Sequence, residues 1–114
     1  MNISRYISEI SLCDWWFADD TVTLYFEAPL DSFNSRDRIP EAVFMTISLE
    51  FPTNSQEPRD TTVCYSPTIY DSEDDSYSDI DWNDVDMPYE DIEKLFEVAE
   101  GNADYLRERG RNNV

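Results

Sequence analysis

The sequence predicts an α+β fold: a meander of about four antiparallel strands, with one C-terminal amphipathic helix packed on one face. Three observations lead there. Two long stretches alternate apolar and polar residues with period two, the signature of half-buried strands. A third stretch near the C-terminus repeats apolar residues at three- and four-residue steps, a helical stripe. The length, 114 residues, suits a single domain with one modest core.

Residues 7–17, ISEISLCDWWF, are assigned as the first strand, turning at Ala18, Asp19 and Asp20 into its hairpin partner. Ile3, Tyr6, Ile7 and Ile10 also share one helical face, so a short opening helix is the rival assignment. In residues 21–28, TVTLYFEA, Val22, Leu24, Phe26 and Ala28 fall on one face, with Thr21, Thr23, Tyr25 and Glu27 on the other. In residues 42–51, AVFMTISLEF, Val43, Met45, Ile47, Leu49 and Phe51 oppose Phe44, Thr46, Ser48 and Glu50. A fourth strand begins at residues 61–65. Pro67 cannot donate to a ladder, which predicts that this strand lies at an edge or ends there. Residues 29–41 and 52–60 are polar, proline-containing and read as surface loops.

The predicted helix runs over residues 88–109. Pro88 suits a first turn, where a missing amide proton is no loss. Ile92, Leu95, Phe96, Ala99, Ala103 and Leu106 form its stripe, and the stripe keeps phase across Gly101. Residues 71–87 fit neither pattern and are read as a loop or an edge strand.

Charge is the extreme feature: 26 acids against 8 bases, a formal net charge of −18. Such a field speeds encounter with basic partners. It excludes direct binding of nucleic acid or an anionic membrane, because those ligands demand cations. The N-terminal residues have neither a continuous apolar core nor a signal-peptide pattern, so a cytoplasmic address is expected. Cys13 and Cys64 are then expected as two buried thiols rather than a disulfide.

Several chemistries are excluded by inventory. There is no histidine, so neither Ser-His-Asp nor Cys-His arrangements exist, and no histidine zinc site. With two glycines, no phosphate-cradling loop can be built. Residues 79–90 place Asp79, Asp81, Asn83 and Glu90 at the first, third, fifth and twelfth positions of a calcium loop. Asp84 then stands where the sharp turn requires glycine, and Asp86 where an apolar residue is normal, so no metal site is assigned. No cofactor and no enzymatic activity are expected.

What remains is the acidic run itself. Asp71, Glu73, Asp74, Asp75, Asp79, Asp81, Asp84, Asp86, Glu90, Asp91 and Glu93 contain no basic residue among them, yet Tyr77, Ile80, Trp82, Val85, Met87 and Tyr89 are interleaved. A solvating tail has little use for tryptophan. An extended chain sets alternate side chains about 6.5–7 Å apart, a pitch that a phosphate-binding groove can accept. If Ile80, Trp82 and Val85 are buried, they pin a ladder of carboxylates in place. Those acids are the candidate partner-binding residues, with Trp82 and Tyr77 as anchors. Trp15 and Trp16 are adjacent, so one points outward and needs a cover: the C-terminal helix, a second copy of the chain, or a target. The helix is the preferred cover.

In charge and size the chain resembles small acidic phage proteins that block restriction enzymes or CRISPR effectors. It is similar in the same sense to acidic immunity proteins that neutralise basic nuclease toxins. This is a likeness of composition and transfers no residue roles. It implies a phage- or mobile-element-encoded DNA mimic working in the host cytoplasm, its partner a basic nucleic-acid-binding protein. An immunity-like protein and an adaptor with a merely solvating surface are the alternatives.

Overall fold

A computed structural model describes residues 3–33 and 41–112, with the Asn112 side chain left aside. It is α+β, but with more strands than the four predicted. The strands are β1 (Ser11–Phe17), β2 (Thr21–Ala28), β3 (Ala42–Pro52), β4 (Thr62–Asp71), β5 (Ser76–Asp79) and β6 (Asn83–Asp84). They form one curled antiparallel sheet in the order β1-β2-β3-β4-β5, and β6 also pairs with β4. The helices are α1 (Ile3–Tyr6), α2 (Tyr89–Glu100) and α3 (Ala103–Asn112). Most of the predicted loop over residues 29–41 lies outside the described residues.

The alternation in β2 and β3 does what period two dictates. Leu24, Phe26, Met45, Ile47, Leu49 and Phe51 point into the core, where Ile92, Leu95, Phe96 and Ala99 of α2 cover them. Phe51 meets Phe96 edge-on, with ring centroids 5.3 Å apart. Full burial of each large side chain is worth about 1.5–3 kcal/mol. Val43 departs from its assigned face: a bulge between Ala42 and Phe44 turns it outward and buries Ala42 instead. A second bulge, between Leu12 and Asp14, lets Leu12, Trp15 and Phe17 share the core face despite their odd spacing.

At the N-terminus the helical rival wins over residues 3–9. Ile3 and Ile10 are buried, and the strand starts only at Ser11. The predicted single helix over residues 88–109 is two helices. Gly101 ends α2, and Asn102 caps α3 by accepting the Tyr105 amide proton at 3.0 Å. The break resets the phase. Tyr105 turns into the core against Trp15 and Phe17, while Ala103 and Leu106, assigned to the stripe, are exposed.

The expectation at Pro67 also needs correction. β4 runs through Pro67 and is flanked by β3 on one side and β5 and β6 on the other. The Pro67 carbonyl accepts from Ile80 N–H, so its ring nitrogen faces the same outer side. There the edge strand detaches between Asp79 and Asn83, and the Ser66 hydroxyl accepts the Asp81 amide proton instead. The missing donor interrupts the neighbour's ladder rather than ending β4.

Candidate functional site

The acidic segment is structured, and its parts go to different places. Asp71 and Ser76 pair, and the four residues between them close the β4–β5 hairpin. The Asp71 carboxylate accepts the Glu73 amide proton at 2.9 Å, and Asp75 takes a positive φ of 50°, which aspartate tolerates better than most residues. The Tyr70 hydroxyl donates to Asp75, which pushes the phenol above its ordinary range. Asp71, Glu73, Asp74 and Asp75 therefore form an exposed acidic turn at one end of the sheet.

Beyond the turn, Tyr77 and Asp79 of β5 face the sheet surface opposite the core. Tyr77 packs against Tyr70 and Phe44, with centroids 5.1 and 5.4 Å apart. Thr68, buried beneath, donates to Asp79 at 2.7 Å and stands 2.7 Å from the buried Thr46 hydroxyl. Asp84 accepts the Cys64 S–H at 3.0 Å. Asp81 and Asp86 are exposed on the same edge.

Two parts of the predicted ladder fail. Ile80 and Trp82 are not buried pins, at 39% and 42% exposed, whereas Val85 is half-buried and packs against the core. Backbone hydrogen bonds to β4 also hold the segment, and Met87 is buried in the core. Glu90, Asp91 and Glu93 belong to α2, across the sheet from Asp79. Asp91 is itself buried, where it accepts from Ser4, whose hydroxyl in turn accepts from Lys94. That carboxylate ties α1 to α2 and is not available to a partner.

A surface that the acidic run did not announce lies beside its edge. Among the described residues no helix packs over the face opposite the core, which curls into a trough of about 1350 Å³, lined from β1 to the β5–β6 connection and bordered by Glu108 of α3. Trp82 reaches Tyr25 across β3 and β4, with ring centroids 6.4 Å apart. Three strand steps on a flat sheet measure about 14 Å, so curl brings the two rings together. Tyr25, Thr46, Ser48, Phe44 and Glu50 are the outward sets of β2 and β3. Their alternation was readable, but a polar sheet face is ordinarily just solvated.

The trough is negative and aromatic. Asp14, Glu27, Glu50 and Asp79 line it from four strands and Glu108 from α3, and no lysine or arginine is among the lining residues. Burial raises the Tyr25 phenol first, and Asp14, Asp79 and Glu50 raise it further. The Cys13 thiol is pushed up to about 11 by burial of its sulfur, then by Glu27 and Asp14, and more weakly by Asp79 from the far edge. Cys64 is raised by burial and by its bond to Asp84. Both cysteines are free thiols, Cys13 exposed and Cys64 half-buried, rather than the two buried thiols expected. Cys13 sits in the bulge beside Asp14, the partner of Tyr25, and Tyr25, Ser48 and Cys64 follow in one row across the sheet, so β2 and β3 separate the two sulfurs.

Trp15 and Trp16 split as adjacency requires, but the predicted cover is reversed. The helical cover falls on Trp15, whose indole N–H donates to Glu108 of α3. Trp16, 67% exposed, stands at the trough rim. Among the described residues, no group of three or more acids and thiols is placed to hold a metal, and no helix is long and apolar enough to cross a membrane. No family model, curated protein or solved structure matches this chain, so its site is read from its own residues.

Proposed function

We propose that the chain is a non-enzymatic acidic decoy, whose carboxylates take the place of nucleic-acid phosphates on the binding surface of a basic protein such as a nuclease, a restriction enzyme or a CRISPR-type effector. One observation carries the reading. The carboxylates of residues 71–86 are held on a hydrogen-bonded sheet edge and hairpin, exposed, and none of them is ion-paired with a described lysine or arginine. Leaving so much like charge uncompensated is unfavourable for folding alone. Steered, salt-sensitive association with a cationic surface offsets it. Relative to the ladder read from sequence, the candidate surface loses Asp91 and keeps the hairpin and edge acids with Tyr77 and Trp82.

The test is capture of partners at low salt, followed by challenge with duplex DNA. DNA should displace the partner, and the complex should weaken steeply as salt rises. Replacing Asp79, Asp81, Asp84 and Asp86 together by Asn should abolish capture while the fold persists. A partner that stays bound in excess DNA overturns the decoy reading. The immunity-like alternative, in which a toxin is blocked beside its active site, is favoured by one feature: a trough is the inverse of the convex surface of a duplex.

A further inference from the structure

We infer that the trough is a receptor for a cationic α-helix of the partner protein, one bearing arginine or lysine along a single face. The inference rests on the reading above only in taking the partner to be basic. The trough adds the part of it that is received.

The occupant's chemistry follows from what lines the trough. Its acids come from β1, β2, β3, β5 and α3 and do not converge, since no three of them form a metal-holding group among the described residues. Dispersed carboxylates suit several spaced monovalent cations, not one divalent ion. Trp16, Tyr25, Phe44, Tyr77 and Trp82 supply ring faces between them. Guanidinium and ammonium groups combine favourably with both carboxylates and aromatic faces. A second copy of the chain is excluded as occupant by its own charge of −18, and a nucleic acid by the same sign.

The occupant's shape follows from register. Along β3, Phe44 and Glu50 mark the two ends of the trough, six residue steps or about 20 Å apart. A helix of about 14 residues covers that length and is about 10–12 Å wide with its side chains. Glu27 lies opposite Thr46 and Glu50 opposite Thr23, so the two acids sit four β2 positions apart, about 13 Å. Two turns of helix cover about 11 Å, so arginines on one face meet both. A single extended strand leaves most of the trough unfilled.

The probe is a capped, alanine-based peptide of about 14 residues, with arginines at three- and four-residue steps along one face. Its binding to the full chain is followed by tryptophan fluorescence, since Trp16 and Trp82 both border the trough, and by calorimetry. The expected result is saturable binding that Glu27→Gln with Glu50→Gln weakens at least about tenfold, as does Trp16→Ala. All three positions are exposed or carry their side chains into the trough, so the variants should fold. Glu73→Gln with Asp74→Asn, at the hairpin tip, should change affinity less than about twofold at 0.15 M salt. Equal losses from the trough and tip variants mean diffuse attraction to net charge and overturn the inference, as does a peptide that leaves the fluorescence unmoved. The outcome is separable from the decoy reading. Peptide in the trough with partners that DNA does not displace sinks the decoy alone; displacement by DNA with an indifferent trough sinks the receptor alone.

Discussion

Thr68→Val tests how the trough is held in shape. Thr68 has one hydroxyl proton and donates it to Asp79 at 2.7 Å, so the Thr46 hydroxyl, also 2.7 Å away, must donate to Thr68. Both threonines are buried, 2% and 6% exposed. Valine preserves the shape and deletes the relay. The change leaves the Thr46 hydroxyl buried and without a partner, at about 1–3 kcal/mol, and removes a bond to a carboxylate. Because Asp79 is exposed, that second loss is discounted to about 1 kcal/mol or less. The expected cost is about 2–3 kcal/mol. Thr46→Val loses only a neutral bond, about 1 kcal/mol, and the double variant should cost less than the two singles added, since no orphan remains. Urea unfolding reads this directly, with the midpoint falling at unchanged m-value. A chain of this size should lose roughly 4 °C of Tm per kcal/mol. A Thr68→Val variant within about 0.5 kcal/mol of wild type, or no worse than Thr46→Val, refutes the relay. Release of Asp79 should also move the Tyr25 phenol back toward its ordinary range, measurable by ultraviolet titration.

Three further outcomes follow from other contacts. Asn102→Ala removes the cap of α3 and should cost about 1 kcal/mol in chemical denaturation, with Asn102→Asp nearly neutral. Tyr105→Phe deletes a buried hydroxyl that makes no well-formed hydrogen bond among the described residues, with only the Arg109 guanidinium beside it, so Tm should change little, whereas Tyr105→Ala should lose about 3–5 kcal/mol. Cys13, at about 11 against an ordinary 9.0, should be alkylated about a hundredfold more slowly than an unperturbed thiol at pH 8, despite its exposure. Glu27→Gln should speed the reaction. The same shift sets a stability trend: the unfolded thiol ionises near 9 and the folded one near 11, so the unfolded chain releases its proton first. Other ionising groups aside, the Cys13 contribution is intact below pH 9 and is lost as pH rises toward 11; a melt series on wild type and Cys13→Ser isolates it.

The core was legible because burial enforces period two. Leu24, Phe26, Met45, Ile47 and Leu49 had nowhere else to go, and the helical residues Ile92, Leu95, Phe96 and Ala99 likewise. Legibility failed where one residue changed the phase. The bulges near Cys13 and Val43 have no local signature. Gly101 and Asn102 had one, glycine followed by a good capping residue, but a continuous stripe outweighed it. The acidic segment, read as a loop or an edge strand, divides into a hairpin turn and a broken edge strand, and exposed Ile80 and Trp82 do not nail it down. Alternation alone cannot tell a side chain facing a core from one facing an open trough. Asp91 was misassigned for a related reason: its charge suggested exposure, and only the docking of Ser4 and Lys94 explains its burial.

Both borders of the sheet are irregular, β1 by its bulge and the opposite border by the gap between Asp79 and Asn83. A neighbouring molecule therefore finds no long, straight row of free amides to continue. Mutual repulsion keeps copies apart in dilute buffer, but it vanishes in concentrated salt. The irregular borders do not, so edge-to-edge strand pairing stays disfavoured even when every charge is masked.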